Sequence, residues 1–262
     1  MDYGLKNRVA IVTGASKGMG LAVARALSKE GVLVCMVARD DEQLRKAAAS
    51  ISQESGNEVA YLSADVANVN TAKTAVKFAI NKFGRLDILV NNAGGPPPGS
   101  AMHMTETDWD AALQLNLRSA IRASTAAIPH MRQQTWGRIV NITSTVAKEP
   151  TPNMILSATT RAALAAFAKG LSIEMAPLGI TVNTLCPGGV LTDRLLGLLE
   201  SRSEVEQVSV ESLIEQSQKS IPIGRFATPE EFADCVVFLC SERARYVTGT
   251  YISVDGGLTK SI

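Results

Sequence analysis

The sequence predicts one α/β domain, a doubly wound and mostly parallel sheet of seven strands with helices on both faces. Short apolar segments alternate with longer amphipathic segments along the whole chain of 262 residues. Hydrophobic residues at 46% and charged residues at 19% are typical of a globular protein with a large core. No linker rich in Pro, Gly or Ser divides the chain, so we expect residues 1–262 to form a single domain.

Each predicted element follows from length, periodicity and the residues at its ends. The segment 9–12 is short, apolar and stopped by Gly14, as in a strand buried on both faces. Gly31 ends the first helix, and Pro129 lies in the last turns of the fourth. The predicted strands are 9–12, 32–37, 59–62, 86–90, 139–142, 180–185 and 251–254. The predicted helices are 18–30, 41–53, one ending near 83, 106–131 and 154–175, with further helical periodicity over 193–219.

Charge and cysteine content exclude several classes of function. A net charge of +1 gives no long-range field for nucleic acid or an anionic membrane. No apolar run approaches about 18 residues, and the early first strand leaves no room for a signal peptide. We therefore expect a cytoplasmic protein without membrane or nucleic-acid partners. Its cysteines form no C-x-x-C pair, so we expect buried reduced thiols and no metal site; they are Cys35, Cys186, Cys235 and Cys240.

A glycine-rich loop joins the first predicted strand to the first predicted helix. It reads Thr-Gly-Ala-Ser-Lys-Gly-Met-Gly over residues 13–20. Glycines let the backbone approach a pyrophosphate, and a helix N-terminus offers it free N–H groups and positive potential. The strand before and the helix after make this a Rossmann-type dinucleotide site. The residues expected to bind the cofactor here are Gly14, Ser16, Lys17, Gly18, Met19 and Gly20.

The end of the second strand bears on the choice of nicotinamide cofactor. An acidic residue there would bind the ribose hydroxyls and repel a 2′-phosphate. This chain has Arg39 instead, and Lys17 lies in the glycine-rich loop. Two cations near a 2′-phosphate favour NADP(H) over NAD(H), since Arg binds phosphate in a bidentate manner. Asp40 follows directly and tempers this preference.

Further motifs, in order and spacing, resemble the short-chain dehydrogenase/reductase family over nearly the whole chain. They are the glycine-rich loop, Asn91-Asn92-Ala93-Gly94, Asn116, Ser144, Asn183 and Pro187-Gly188. The segments 222–226 and 247–257 resemble bacterial 3-oxoacyl-carrier-protein reductases in particular. The resemblance implies further cofactor contacts at Asp65, Val66, Asn92, Ala93, Gly94, Arg161, Pro187, Gly188 and Thr192. It also implies a small-molecule substrate, a substrate flap at about 190–220 and a homotetramer or homodimer.

The reaction site departs from the family pattern. Members have a Ser, a Tyr thirteen residues later and a Lys four residues after the Tyr. Ser144 matches the Ser that holds the substrate oxygen, and Asn116 the Asn that supports a water relay. Ser157 stands in the Tyr position and Arg161 in the Lys position. Ser157 is a poor acid, whereas Arg161 keeps a positive charge for the ribose but cannot release a proton.

If the chain catalyses a reduction, another group has to deliver the proton. Lys148, in the loop after Ser144, is the first candidate, with a bound water as the alternative and His103 as the second side chain. We expect His130 to be structural. No tyrosine lies in a segment expected to reach the nicotinamide; the four are Tyr3, Tyr61, Tyr246 and Tyr251.

These observations predict an NADP(H)-dependent oxidoreductase that acts on a carbonyl or alcohol group of a small or acyl-type substrate, with an atypical proton donor. One alternative is a catalytically silent NADP(H)-binding protein, and another is lyase or dehalogenase-like chemistry on the same scaffold. Halohydrin dehalogenases keep the Tyr and lose the glycine-rich loop, the reverse of this chain. Thr159 and Thr160 also differ from the small residues common there, which favours natural divergence over laboratory substitution at Ser157 and Arg161.

Overall fold

A computed structural model describes residues 2–261 and contains one seven-stranded sheet in the order β3-β2-β1-β4-β5-β6-β7. The strands are β1 (Val9–Thr13), β2 (Leu33–Ala38), β3 (Val59–Ser63), β4 (Ile88–Asn91), β5 (Gly137–Ile142), β6 (Ile180–Pro187) and β7 (Tyr251–Val254). The helices are α1 (Gly18–Lys29), α2 (Asp41–Ser55), α3 (Thr71–Phe83), α4 (Glu106–Ala112), α5 (Ser119–Gln133), α6 (Ile155–Met175), α7 (Asp193–Glu206), α8 (Val210–Ser220) and α9 (Pro229–Cys240). All neighbouring strands pair in parallel, so the predicted fold class is confirmed.

The strand order changes direction between β1 and β4, which are neighbours in the sheet. From β1 the chain first runs outward to β2 and β3, and then returns to continue on the other side through β4. The loops that leave β1 and β4 therefore diverge and open a crevice at the carboxyl edge. Ligands bind at this switch point in open α/β sheets.

Two hydrophobic cores cover the two faces of the sheet. One core packs α1, α2 and α9 against the sheet, and the other packs α3, α5 and α6. Side chains along each strand alternate between them, as Met36 and Val37 of β2 do. Because both faces are buried, the strands read as continuous apolar runs rather than as alternating patterns.

The amino edge of the sheet is fixed by charged groups around one aromatic ring. The guanidinium carbons of Arg8 and Arg138 lie 3.8 and 4.1 Å from the centroid of the Trp136 ring. The fully buried Asp87 carboxylate accepts hydrogen bonds from the Val9 amide (2.9 Å) and from Arg8 (3.0 Å). These contacts hold β1, β4 and β5 in register, so that their carboxyl ends lie side by side.

The predicted helix 106–131 is continuous but not uniform. A π-helical stretch, Leu113–Arg118, separates α4 from α5 and turns Asn116 into the interior. A π-helical turn holds one more residue than an α-helical turn, and the apolar periodicity continues through it. The sequence pattern therefore did not reveal the π-helical stretch. The predicted helical segment 193–219 is likewise two helices. Gln207 ends α7 in the left-handed region (φ 55°), and Ser209 caps α8.

The cysteines are free, and three of the four are buried. Cys235 on α9 is only half-buried, so the expectation of four buried thiols is wrong for that residue. Burial raises the pKa of Cys35 and of Cys240 to about 12. Over residues 2–261, no helix is long and apolar enough to cross a membrane, and no three metal-binding side chains cluster.

Candidate active site

The glycine-rich loop passes from β1 into α1 at the carboxyl edge of the sheet. Gly14 has a φ of +59°, and an added Cβ would meet the backbone carbonyl of Asn92. Lys17 precedes α1 without any side-chain cap, so the first N–H groups of α1 are free. Gly94 faces open space, since an added Cβ there would meet no atom within 4 Å. The groove between these loops has the shape and polarity for an anionic phosphate.

Asn92 joins the loop after β1 to the loop after β4. Its amide nitrogen Nδ2 donates to the carbonyls of Thr13 and Gly14, both at 3.2 Å. Its backbone N–H donates to Thr13 Oγ1 at 2.9 Å. The Asn92 side chain thus holds the start of the glycine-rich loop in place by hydrogen bonds.

Arg161 is buried beneath the loops that follow β4 and β5, with 8% of its surface exposed. Its Nη1 donates to the carbonyls of Thr143 (2.6 Å) and Ile142 (3.2 Å), and its Nη2 donates to Ala93 (3.4 Å). Burial, with a smaller contribution from the charge of Arg194, lowers the pKa of Arg161 to about 10. The guanidinium is therefore charged at neutral pH and connects two strand ends.

Asn116 meets Arg161 at a small cavity. Its Nδ2 donates to the Gly94 carbonyl at 2.8 Å, which fixes the loop after β4 from a second side. Within the described chain, Asn116 Oδ1 and Arg161 Nε have no protein partner, and both residues line a cavity of about 30 Å³. Asn116 Oδ1 is an acceptor and Arg161 Nε is a donor, so hydroxyl groups in this cavity can satisfy them.

Ser144 and Lys148 bound the short turn after β5. The Ser144 hydroxyl caps a 3₁₀ turn, Thr145–Ala147, and accepts a weak hydrogen bond from Val146 N at 3.4 Å. Lys148 follows the turn and is half-buried. No carboxylate among residues 2–261 lies within 4 Å of its ammonium, which is instead 5.1 Å from the centre of the Tyr251 ring. A half-buried cation without an ion-pair partner therefore follows the turn that Ser144 caps.

Tyr251 lies nearer to this site than the sequence led us to expect. The register of β6 and β7 places it on the same face as Cys186, beneath the start of α6. Its hydroxyl is buried beside Cys186 and Thr143, but neither provides a hydrogen bond of good geometry. Burial, aided by Cys186, raises the pKa of Tyr251. The expectation that no tyrosine reaches the nicotinamide stays a prediction, although Tyr251 lies beside Cys186, Thr143 and Lys148.

The first turn of α7 contacts both walls of the groove. Thr192 caps α7 by accepting from Leu195 N at 3.3 Å. Asp193 Oδ2 lies 4.0 Å from Lys17 Nζ, an exposed ion pair. Arg194 Nη2 donates to the Pro96 carbonyl at 2.8 Å. The predicted flap range therefore begins as a bridge over the crevice.

Beyond this turn, the apolar side of the same range packs on itself. Leu199 and Leu213 form a cluster with Ile221 and Phe226, and Leu195 packs against it. Packing against the body of the protein therefore accounts for Leu195 and Leu199.

Several predicted residues lie apart from this cluster. Arg39 is exposed after β2, and Lys17 turns to Asp193, so the two expected phosphate ligands do not contact one common group. Asp65 is exposed and holds its own turn by accepting from Ala67 N at 2.9 Å. His103 is exposed and bonded to Ser100 at 3.0 Å, away from Ser144.

The remaining predicted residues lie along the same carboxyl edge. Val66 lines the cavity that Asn116 and Arg161 share. Ser157 is 5% exposed on α6, one turn before Arg161. Pro187 ends β6, and the Gly188 N–H donates to the Val254 carbonyl at 3.1 Å. Ser16 and Met19 lie in the glycine-rich segment, Met19 in the first turn of α1.

Comparison with known proteins agrees with this architecture. The family model described as enoyl-(acyl carrier protein) reductase matches residues 14–259. The chain is 37% identical to the short-chain reductase protein NovJ of Streptomyces niveus, over 95% of this chain and 93% of that protein. It is 34% identical to the 3-oxoacyl-acyl-carrier-protein reductase FabG of Aquifex aeolicus, over 98% of this chain and 100% of that protein. The chain belongs to the short-chain dehydrogenase/reductase family.

Two solved structures are similar along their whole lengths. L-sorbose reductase from Gluconobacter frateurii, complexed with NADPH and L-sorbose, has a TM-score of 0.96 at 35% identity and full coverage of both chains. YwfH, an NADPH-dependent reductase involved in bacilysin biosynthesis, has a TM-score of 0.93 at 34% identity. That match covers 97% of this chain and 99% of YwfH.

The substitution Arg161→Met tests the structural role of the guanidinium. We expect it to lower the free energy of unfolding by about 2–3 kcal/mol, because the Thr143 and Ile142 carbonyls lose a charged donor. Urea denaturation measures the effect, with Arg118→Met at an exposed helix position as the control. A variant as stable as the parent would show that Arg161 does not stabilise the strand ends.

Proposed function

We propose that the protein is an NADP(H)-dependent oxidoreductase that acts on a carbonyl or alcohol group of a small or acyl-type substrate. In this proposal Lys148 delivers the proton that the family's tyrosine would deliver. The observation that carries it is the half-buried Lys148 at the end of the turn that Ser144 caps, with no carboxylate among residues 2–261 at ion-pair distance from its ammonium. Family membership supports the oxidoreductase class.

The residues of the crevice fit a nicotinamide dinucleotide. The free N–H groups at the start of α1 suit its pyrophosphate. The unpartnered atoms Asn116 Oδ1 and Arg161 Nε suit hydroxyl groups of a ribose. When bound, the cofactor supplies or accepts the hydride. The exposed cations Lys17 and Arg39 are proposed to bind the 2′-phosphate, and two structurally similar reductases use NADPH.

The proposed reduction needs a donor for the oxygen as well as a hydride for the carbon. Ser144 Oγ donates a hydrogen bond that orients the substrate carbonyl. As the carbon accepts the hydride, the oxygen gains negative charge and takes a proton from Lys148 Nζ. Ser157 is too weak an acid, and Arg161 is bound to backbone carbonyls. In the alcohol-oxidising direction, Lys148 in its neutral form accepts the proton.

A catalytically silent NADP(H)-binding protein is the second candidate. The observation that favours it is the same use of Arg161 in holding the backbone, which leaves the usual Ser–Tyr–Lys chemistry without two of its members. Lyase or dehalogenase-like chemistry is a weaker alternative, because the glycine-rich loop is complete. The homotetramer or homodimer and the cytoplasmic location stay predictions.

Two measurements separate these candidates. Saturable enhancement of NADPH fluorescence is expected for every version that uses the nucleotide, and its absence would exclude both leading candidates. NADPH oxidation is then followed over a panel of ketones, quinones and acyl thioesters. Turnover of at least one class supports the enzyme, whereas binding without any turnover supports the silent protein.

The substitution Arg39→Asp tests the cofactor choice. We expect the Kd for NADPH to rise about tenfold or more, because a carboxylate repels the 2′-phosphate, while the Kd for NADH stays equal or falls. Fluorescence titration measures both constants. Arg45→Asp, at an exposed position of α2, is the charge-matched control. Equal effects of the two substitutions on NADPH binding would contradict a 2′-phosphate contact at Arg39.

The substitution Lys148→Met tests the proton donor. We expect kcat to fall about 10²–10⁴-fold, the usual contribution of general acid–base catalysis, with the Kd for NADPH within twofold. Steady-state NADPH oxidation on the substrate found in the panel provides kcat. Lys29→Met, at the exposed end of α1, controls for loss of a lysine charge. Unchanged turnover in Lys148→Met would exclude the lysine and favour a bound water.

A further inference from the structure

We infer that Tyr251 is a positioning residue, whose ring fixes the ammonium of Lys148 at the end of the turn that Ser144 caps. The inference rests on the proposed function of Lys148 and adds the group that orients it. Lys148 Nζ lies 5.1 Å from the centre of the Tyr251 ring, within the distance of about 6 Å at which a cation is attracted to an aromatic face.

The ring is a fixed platform. Tyr251 begins β7, and its backbone is paired in parallel with β6 opposite Thr184. The preceding residue is held as well, because Thr250 Oγ1 donates to Asn183 Oδ1 at 2.7 Å. Asn183 Nδ2 in turn donates to the Val247 carbonyl at 2.8 Å. The hydroxyl end of Tyr251 is buried, which restricts the ring further.

Lys148 has few other ways to be held in place. The Lys148 side chain is a flexible four-carbon chain. It projects from a turn rather than from a helix or strand. The Glu149 carboxylate beside it already accepts from the backbone N–H groups of Lys260 and Ser261, both at 2.6 Å. Asp255 is likewise used, since it accepts from Thr259 and Gly257. The nearby carboxylates are thus bound elsewhere, and the ring is the attractive partner that remains.

The other charges nearby make this contact selective. Arg161 lies beneath, beside the Tyr251 hydroxyl, and Arg194 lies on α7 across the crevice. Both are cations that repel an ammonium. Cys186 stays a neutral thiol, because burial raises its pKa. Lys148 is therefore drawn toward the Tyr251 ring and away from these two cations.

The buried hydroxyl of Tyr251 distinguishes this positioning role from that of the proton-donating tyrosine found in the family. That hydroxyl is closed off from the crevice beside Thr143 and Cys186. Burial also keeps it protonated, because its pKa is raised. The face of the ring does the positioning, so the hydroxyl is expected to be dispensable.

A double-mutant cycle on the full-length protein tests this inference. The variants are Tyr251→Phe, Tyr251→Leu, Lys148→Met and the double variant Tyr251→Leu with Lys148→Met. We expect Tyr251→Phe to keep kcat within about twofold, because the aromatic face is retained. Tyr251→Leu is expected to lower kcat about tenfold or more, since small misplacements of a reacting group are costly. In the Lys148→Met background, Tyr251→Leu is expected to have no further effect on kcat.

The outcomes that would overturn the inference differ from the one that overturns the proposed function. Equal losses in Tyr251→Phe and Tyr251→Leu would assign the effect to the hydroxyl. A Tyr251→Leu loss of the same size in both backgrounds would show a general structural effect. Unchanged turnover in Lys148→Met alone would remove the proton donor itself and the positioning role with it. If thermal unfolding shows Tyr251→Leu to be unfolded, Tyr251→Met keeps the volume without the ring and takes its place in the cycle.

Discussion

The buried guanidinium of Arg161 donates hydrogen bonds to Thr143, Ile142 and Ala93, and the rest of the site is arranged around these contacts. The carbonyls belong to the ends of β4 and β5, the strands on one side of the crevice. A planar group with five donors can join several carbonyls at once, which an ammonium cannot do in the same geometry. The loops that face the cofactor groove are thereby held in one arrangement.

This use of Arg161 divides the site into two parts. The dinucleotide crevice keeps its structural parts: the free N–H groups of α1, the Asn92 contacts to the glycine-rich loop and the Asn116 contact to Gly94. Proton transfer has lost its usual donor at Ser157. Arg161 is engaged with the backbone, and under the proposed function the proton comes from Lys148 in the turn after β5.

The fold and most of the crevice were predictable from sequence, because they follow from local patterns. Apolar runs marked the strands, and glycines at 14, 18 and 20 marked the loop. The π-helical stretch was not predictable, because periodicity continues through it. The hydrogen-bond partners of Arg161 were not predictable either, because they are backbone carbonyls, which every residue has. Tyr251 reaches the site only through the pairing of β6 with β7, a contact between segments 67 residues apart, from Thr184 to Tyr251.

Amide hydrogen exchange in an Arg161→Lys variant tests the central claim most directly. If the guanidinium holds the ends of β4 and β5, amides of residues 92–94 and 144–148 exchange about tenfold faster or more in the variant, while amides of β2 exchange at the parent rate. Unchanged protection at both strand ends would contradict the account. The crevice would then be held by Asn92 and Asn116 alone.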